Sequence, residues 1–187
     1  MKAQPWAVVC DFDGTATVDD TADALSIEYI GYERWKKAND AFHAGEIAFE
    51  QLLAICGRAM IPFVLASGGL DIYIRPALEK LPVALTDGIE VRANHAEYVA
   101  GGLALTFPYQ HAEGACGTCG SCKGAVVKEL QAKGHRVISV GDGNADRCMA
   151  GVADVLFARG RLLDWCRGAG FACTPFETLH VVAARLG

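Results

Sequence analysis

Four short apolar runs punctuate the chain, and the segments between them carry the spacing of helices. Trp6-Ala-Val-Val-Cys10 is continuously apolar, as are Ile61-Pro-Phe-Val-Leu-Ala66 and Arg136-Val-Ile-Ser-Val140 past their first residues. Asp154-Val-Leu-Phe157 is a shorter fourth run. A continuous rather than alternating run marks a strand covered on both faces. Between the runs, 22–42 is mostly helix-compatible, and 49–60 places apolar residues at 49, 52, 53 and 56. The segment 124–133 gathers Val126, Val127 and Leu130 on one face. Strands alternating with helices predict an α/β fold, a doubly wound Rossmann-like parallel sheet. One segment breaks the alternation. Ile89 to Phe107 reads as strand, turn, strand, with Gly101-Gly102 at the tip of a β-hairpin.

The residues that end the first three strands change the picture from fold to chemistry. Asp11-Phe-Asp-Gly-Thr15 follows the first, Ser67-Gly68-Gly69 the second and Gly141-Asp142-Gly143 the third. Ligands of doubly wound sheets bind beyond the carboxyl ends of the strands, so these segments converge on one edge. Asp, Gly and Thr are also turn formers, but a bare turn does not account for three chemically loaded strand ends. Alternation along an extended chain would send Asp11 and Asp13 to the same side. Two such carboxylates repel unless a cation or proton intervenes. Mg²⁺, one ion per site, suits a set of hard oxygen ligands that Asp142 and Asp146 would extend. Four ionised aspartates against Mg²⁺ and Lys123 leave one negative charge, which opposes an anionic substrate. A proton on Asp13 removes it and makes Asp13 a general acid, with Asp11 free to act as nucleophile.

Composition narrows the partners. With 17 basic and 22 acidic residues among 187, the net charge is −5, and no basic run suited to a phosphate backbone appears, which disfavours nucleic acid as a partner. No apolar stretch approaches the ~20 residues needed to span a bilayer, and the five apolar residues before Asp11 are too few for a signal-peptide core. The expected location is therefore cytoplasmic, where the eight cysteines would be thiols rather than disulfides. Cys116-x-x-Cys119-x-x-Cys122 has the spacing of half a zinc site, with His111 a conceivable fourth ligand. The alternative is a loop of free thiols, or a labile disulfide, that positions Lys123. Asn94-His95 could meet the polar end of a substrate or be structural, and Arg159 could orient the loop near Asp142 or lie on the surface. Cys10 is a small core residue within the first strand. The Gly-x-Ser-x-Gly elbow, the P-loop and the dinucleotide fingerprint are all absent.

These residues resemble, in order, the four motifs of the haloacid-dehalogenase superfamily of phosphatases. They are Asp11-Phe-Asp-Gly-Thr15, Ser67 in Leu65-Ala-Ser-Gly-Gly69, Lys123 after Cys122, and Gly141-Asp-Gly-Asn-Ala-Asp146. The resemblance implies roles by position. Asp11 would be nucleophile and Mg²⁺ ligand, and Asp13 the acid/base, ligating through its backbone carbonyl. Asp142 would be a ligand, with Asp146 supporting the metal site. Ser67, the Gly68 N–H and Lys123 would hold the phosphoryl oxygens. Asn94-His95-Ala96, the cysteine cluster and Leu156-Phe-Ala-Arg159 with Leu162-Leu163 and Cys166 resemble the methionine-salvage branch. That branch acts on 2-hydroxy-3-keto-5-methylthiopentenyl-1-phosphate and has relatives acting on phosphoserine-like or phosphocholine-like monoesters. The resemblance implies a small phosphorylated metabolite as substrate and leaves open which one.

The chain departs from that branch after the first motif, where relatives carry a full helical cap. The expected division is a catalytic core of 1–15 and 49–187 and a reduced cap of 16–48. Those 33 positions fit two helices of ~11–12 residues. A short cap leaves the site more open to water, or leaves Ile27, Ile30, Trp35 and Phe42 to pack against a second copy as a homodimer. Two other readings share the same motifs: phosphoryl transfer to an acceptor other than water, and a binding or regulatory protein that kept the fold and lost turnover with its cap.

Overall fold

The computed structural model describes residues 5–17, 52–54, 56–57 and 60–186. The expected cap, its packing residues and the homodimer through it lie outside the described residues, as does the helix-compatible segment 22–42. Residues 52–54 and 56–57 are helical, as their spacing predicts.

The strands are β1 (Trp6–Cys10), β2 (Phe63–Leu70), β3 (Ile89–Val99), β4 (Gly102–Thr106), β5 (Arg136–Gly141), β6 (Val155–Ala158) and β7 (Thr174–Pro175). The helices are α1 (Asp71–Glu79), α2 (Val83–Thr86), α3 (Lys123–Ala132), α4 (Arg147–Ala150), α5 (Gly160–Ala169) and α6 (His180–Leu186). All seven strands form one sheet in the order β4-β3-β2-β1-β5-β6-β7, parallel except for the antiparallel β3–β4 pair. The hairpin turns at Ala100-Gly101, and its first strand pairs parallel with β2, so it widens the main sheet rather than standing apart.

Continuous apolar strands follow from cover on both faces. Val8, Cys10, Leu65, Ile138 and Val140 point into one core with Ile74 and Leu78 of α1 and Val182 of α6. The intervening Ala7, Val9, Val64, Ala66 and Val137 point into the other, against Val126, Val127 and Leu130 of α3 and Leu162 of α5. Each side thus takes every second residue, and both are apolar. At ~25 cal/mol per Å² of apolar surface, these two layers supply the main stabilisation of the fold.

Connectivity positions the site. From β1 the chain runs outward through β2, β3 and β4, then returns to the other flank of β1 as β5. Strand order therefore reverses at β1, and the crevice beyond the carboxyl ends of β1 and β5 is the switch point where such sheets bind ligands.

Candidate active site

The strand β1 stops at Cys10, so Asp11 and Asp13 leave it on a tight loop and not on an extended strand. The loop is closed by Ala16 N–H to Asp11 O at 3.3 Å and Thr17 N–H to Phe12 O at 3.0 Å. Thr17 Oγ1 accepts the Gly14 N–H at 3.1 Å and donates to Phe12 O at 3.1 Å. Gly14 turns the chain with φ +67°, a region that favours glycine. The expectation that alternation would place both carboxylates on one side is thus replaced by turn geometry. Asp11 points inward to Lys123, while Asp13 points to Ser67 and Tyr73.

Lys123 is 1% exposed at the start of α3. Its Nζ donates to Asp11 Oδ1 and to Asp146 Oδ1, and both carboxylates are themselves buried. A buried ammonium persists only when paired this way. Burial alone would lower its pKa, but Asp11 and Asp146 overcome that and raise it, so the side chain is a fixed cation. The second Asp146 oxygen accepts the N–H groups of Asp142 and Gly143, each at 2.9 Å. Asp146 thereby bends the loop after β5 and presents Asp142. Gly141 lacks a side chain for a local reason: a Cβ there would lie 2.6 Å from the Asp146 carboxylate.

Asp11, Asp142 and Asp146 each bring a carboxylate oxygen within 4.8 Å of the others. Among the described residues this is the one cluster of three or more His, Cys, Asp or Glu side chains with that property. Burial first, and then Asp146, raise the Asp11 carboxyl to about 7, although Lys123 opposes the shift. Asp142 is also raised, again through burial and Asp146. Three hard carboxylates against one ammonium make a centre deficient in positive charge, and the donor set fits Mg²⁺.

The second strand end supplies the opposite wall. Ser67 is 1% exposed, its Oγ accepting the Gly69 N–H at 2.9 Å and donating to Asp13 Oδ2 at 3.5 Å. The Tyr73 hydroxyl, on α1, donates to the same Asp13 oxygen at 3.3 Å. Gly69 lets that hydroxyl approach, because a Cβ there would land on it. Asn94 Nδ2 donates to the Gly68 carbonyl at 2.6 Å. His95 instead pairs with Asp71 at 2.7 Å and is exposed.

Arg159 follows β6 and ties the first loop down. Its Nε donates to Gly14 O at 2.8 Å, with further bonds to Gly14 O and Thr17 O from the same guanidinium and to Glu177 O at 3.2 Å. Thr15 Oγ1 donates to Asp142 Oδ1 at 3.2 Å, joining the two loops. Tyr73 is the contact that pattern reading missed. A polar-tipped aromatic in the first turn after Ser67-Gly-Gly was the available signal, but helical spacing assigns it equally to the core.

The cysteines of the loop before α3 pair unevenly, with Cys148 beside Cys122. Cys116 Sγ lies 3.3 Å from Cys119 Sγ, whereas Cys122 is buried and its sulfur accepts the Cys116 N–H at 3.3 Å. Among the described residues no third sulfur or His111 nitrogen joins them as a ligand set. The side-chain and backbone hydrogen bonds of Thr118 lower the Cys116 thiol to about 6.

Because Gly14 sits against Asp142, its substitution gives a direct reading of the cluster. A Cβ there would lie 2.7 Å from Asp142 Oδ2, on a backbone that costs other residues about 1–2 kcal/mol. Gly14→Ala is expected to weaken apparent Mg²⁺ affinity by roughly 10–100-fold, the usual effect of displacing a metal ligand's support. Activity titrated against Mg²⁺ measures it, and an unchanged midpoint would separate Asp142 from the metal.

No protein-family model matches the chain. Among curated proteins, a 2-hydroxy-3-keto-5-methylthiopentenyl-1-phosphate phosphatase of Exiguobacterium sibiricum is 28% identical over 96% of this chain and 95% of its own. One of the same name from Bacillus pumilus is 26% identical over 91% of this chain and 86% of its own. Among solved structures, a phospho-aspartyl intermediate analogue of phosphoserine phosphatase superposes with a TM-score of 0.61 at 16% identity, covering 99% of this chain and 100% of that one. That likeness establishes the fold. Fold, strand-end motifs and relatives together define a phosphoric monoester hydrolase with the haloacid-dehalogenase architecture. Within that class, the curated relatives uphold the resemblance to the methionine-salvage phosphatase branch, and the phosphoserine phosphatase structures share its fold. No helix among the described residues is long and apolar enough to cross a membrane.

Proposed function

We propose that the chain hydrolyses a small phosphomonoester through a phosphoaspartyl enzyme, with Asp11 as nucleophile. The observation that carries this reading is the buried Asp11–Lys123–Asp146 network beside Asp142 at the switch point of the sheet. An Asp11 oxygen attacks phosphorus as Asp13 protonates the departing alkoxide. Asp13, held by Ser67 and Tyr73, then takes a proton from water as that water attacks phosphorus and frees Asp11. Ser67 Oγ, the Gly68 N–H and Lys123 Nζ hold the non-bridging oxygens, and such positioned charges carry most of the acceleration in phosphoryl transfer. Asp11, Asp142 and the Asp13 carbonyl would hold Mg²⁺, with Asp146 as support, and the bound ion would offset repulsion between carboxylate and phosphoryl group. We assign the reduced cap to 16–48 and the catalytic core to 1–15 and 49–187.

The raised Asp11 carboxyl gives this reading a pH signature. Its folded-state pKa lies above the unfolded value, so Asp11's contribution to stability is full below about 4 and lost as pH rises through about 7. Metal binding requires the ionised form and so competes with that proton. Saturating Mg²⁺ should therefore raise the melting temperature more at pH 7.5 than at pH 5. Thermal melts in both buffers test this, and an equal or smaller shift at pH 7.5 would contradict it.

As substrate we assign the methylthio-sugar phosphate for which the curated relatives are named. Likeness to phosphoserine phosphatase structures supports a second reading, a phosphoserine- or phosphocholine-type monoester. A panel comparing kcat/KM with Mg²⁺ for the methylthio-sugar phosphate, phosphoserine, phosphocholine and small sugar phosphates separates them. The methylthio compound is expected to rank first; phosphoserine or phosphocholine ranking first would establish the second reading. Release of inorganic phosphate without an added alcohol acceptor distinguishes hydrolysis from phosphoryl transfer.

A further inference from the structure

The catalytic reading leaves the loop before α3 unused, although it concentrates three thiols within seven residues of sequence. Two of these face each other. Cys116 and Cys119 place their sulfurs 3.3 Å apart, against about 2.0 Å in a disulfide, so bonding needs only a small closure of the loop. Gly117, at φ +77°, makes the turn that brings them together. The two differ in accessibility: Cys116 is exposed and Cys119 half-buried behind it. Thr118 Oγ1 lies 3.2 Å from Cys116 Sγ, a hydroxyl suited to hydrogen-bond a thiolate. The third sulfur, Cys122, is buried; it accepts the Cys116 N–H and lies beside Cys148.

We propose that Cys116 and Cys119 form a redox-active dithiol that closes reversibly to a disulfide, with Cys116 as the attacking sulfur and Cys119 as the resolving one. The oxidant is a hydroperoxide or a small-molecule disulfide. With a hydroperoxide, the Cys116 thiolate attacks the terminal oxygen, the O–O bond breaks, and Cys116 becomes a sulfenic acid. The Cys119 sulfur then displaces that oxygen, forming the S–S bond and releasing water. Two thiols thus lose two electrons and two protons, and the peroxide is reduced to two hydroxyl products. With a small disulfide, Cys116 forms a mixed disulfide and expels one thiol, and Cys119 expels the second. The position matters to the enzyme because Cys122 precedes Lys123 directly and its sulfur is tied to Cys116.

Peptide mapping of the full chain tests this after treatment with about one equivalent of hydrogen peroxide, or incubation in a glutathione redox buffer. The expected product is an intrapeptide disulfide joining Cys116 and Cys119, reversed by dithiothreitol, with Cys10, Cys56 and Cys122 still reduced. In Cys119→Ser, Cys116 should be trapped as a sulfenic acid or a mixed disulfide, while phosphatase activity of the untreated variant stays within twofold of the parent. Cys116→Ser should leave Cys119 several-fold slower to react. Disulfides between other pairs, or a Cys116–Cys119 pair that stays reduced while Cys173 or Cys148 oxidises, would overturn the proposal. So would zinc at unit stoichiometry that is released when these thiols are blocked.

Discussion

Asp11→Asn is expected to lower Mg²⁺-dependent kcat for an aryl phosphate by at least ~10⁴-fold, the scale of losing a nucleophile. The variant should still fold, since the amide keeps nearly the shape of the carboxylate and Asp146 still accepts from Lys123. Its melting temperature with and without Mg²⁺ separates the two effects. A folded Asp11→Asn protein that keeps more than about a tenth of parental kcat would remove Asp11 from the reaction. The binding or regulatory reading requires instead a parental protein without turnover, which the intact set of Asp11, Asp13, Ser67, Lys123, Asp142 and Asp146 argues against.

The second large effect lies in stability as well as rate. Lys123 is enclosed with two carboxylates that have no other ammonium among their described contacts. Replacing it with methionine conserves most of the volume but leaves Asp11 and Asp146 buried and unpaired. Removing one partner of a buried pair typically costs about 3–5 kcal/mol. For a chain of this size that corresponds to roughly 10 °C in melting temperature. Metal-free Lys123→Met should therefore melt about 10 °C below the parent, and less far below it at pH 5, where a proton on Asp11 substitutes for the lost cation. Activity should fall at least a hundredfold even with saturating Mg²⁺, because the phosphoryl oxygens lose their charged partner. A variant that melts with the parent at pH 7.5 would show that the three groups do not share a dry site.

Much of this was legible because the chemistry sits where strands end. Buried parallel strands announce themselves as apolar runs, so Cys10, Ala66 and Val140 locate the carboxyl ends approximately, although β2 runs on through an irregular Ser67–Gly69 to Leu70. Lys123 was less visible, since nothing in a Gly/Cys-rich loop says that its one lysine turns inward. Its motif suggested it, and the structure gives the reason: α3 begins there, packed across β1 and β2. Other features depend on close approaches between segments distant in sequence. The Tyr73–Asp13 contact spans 60 residues and the Arg159–Gly14 contact 145. Both rest on a glycine or a carbonyl placed by the fold, and neither residue has a periodicity that marks it. Strand alternation misjudged Asp11 and Asp13 for the same reason. The turn at Gly14, not the pleat, decides where they point.

The most direct test of the central claim is chemical trapping of the intermediate. Enzyme mixed with excess substrate and Mg²⁺, acid-quenched within a turnover and reduced with borohydride should yield homoserine at position 11, the product of an aspartyl phosphate. Peptide mass spectrometry should find that change in wild type and lose it in Asp11→Asn. Homoserine at any other carboxylate, or an unmodified Asp11 in an enzyme that releases the leaving alcohol in a pre-steady-state burst, would contradict the account.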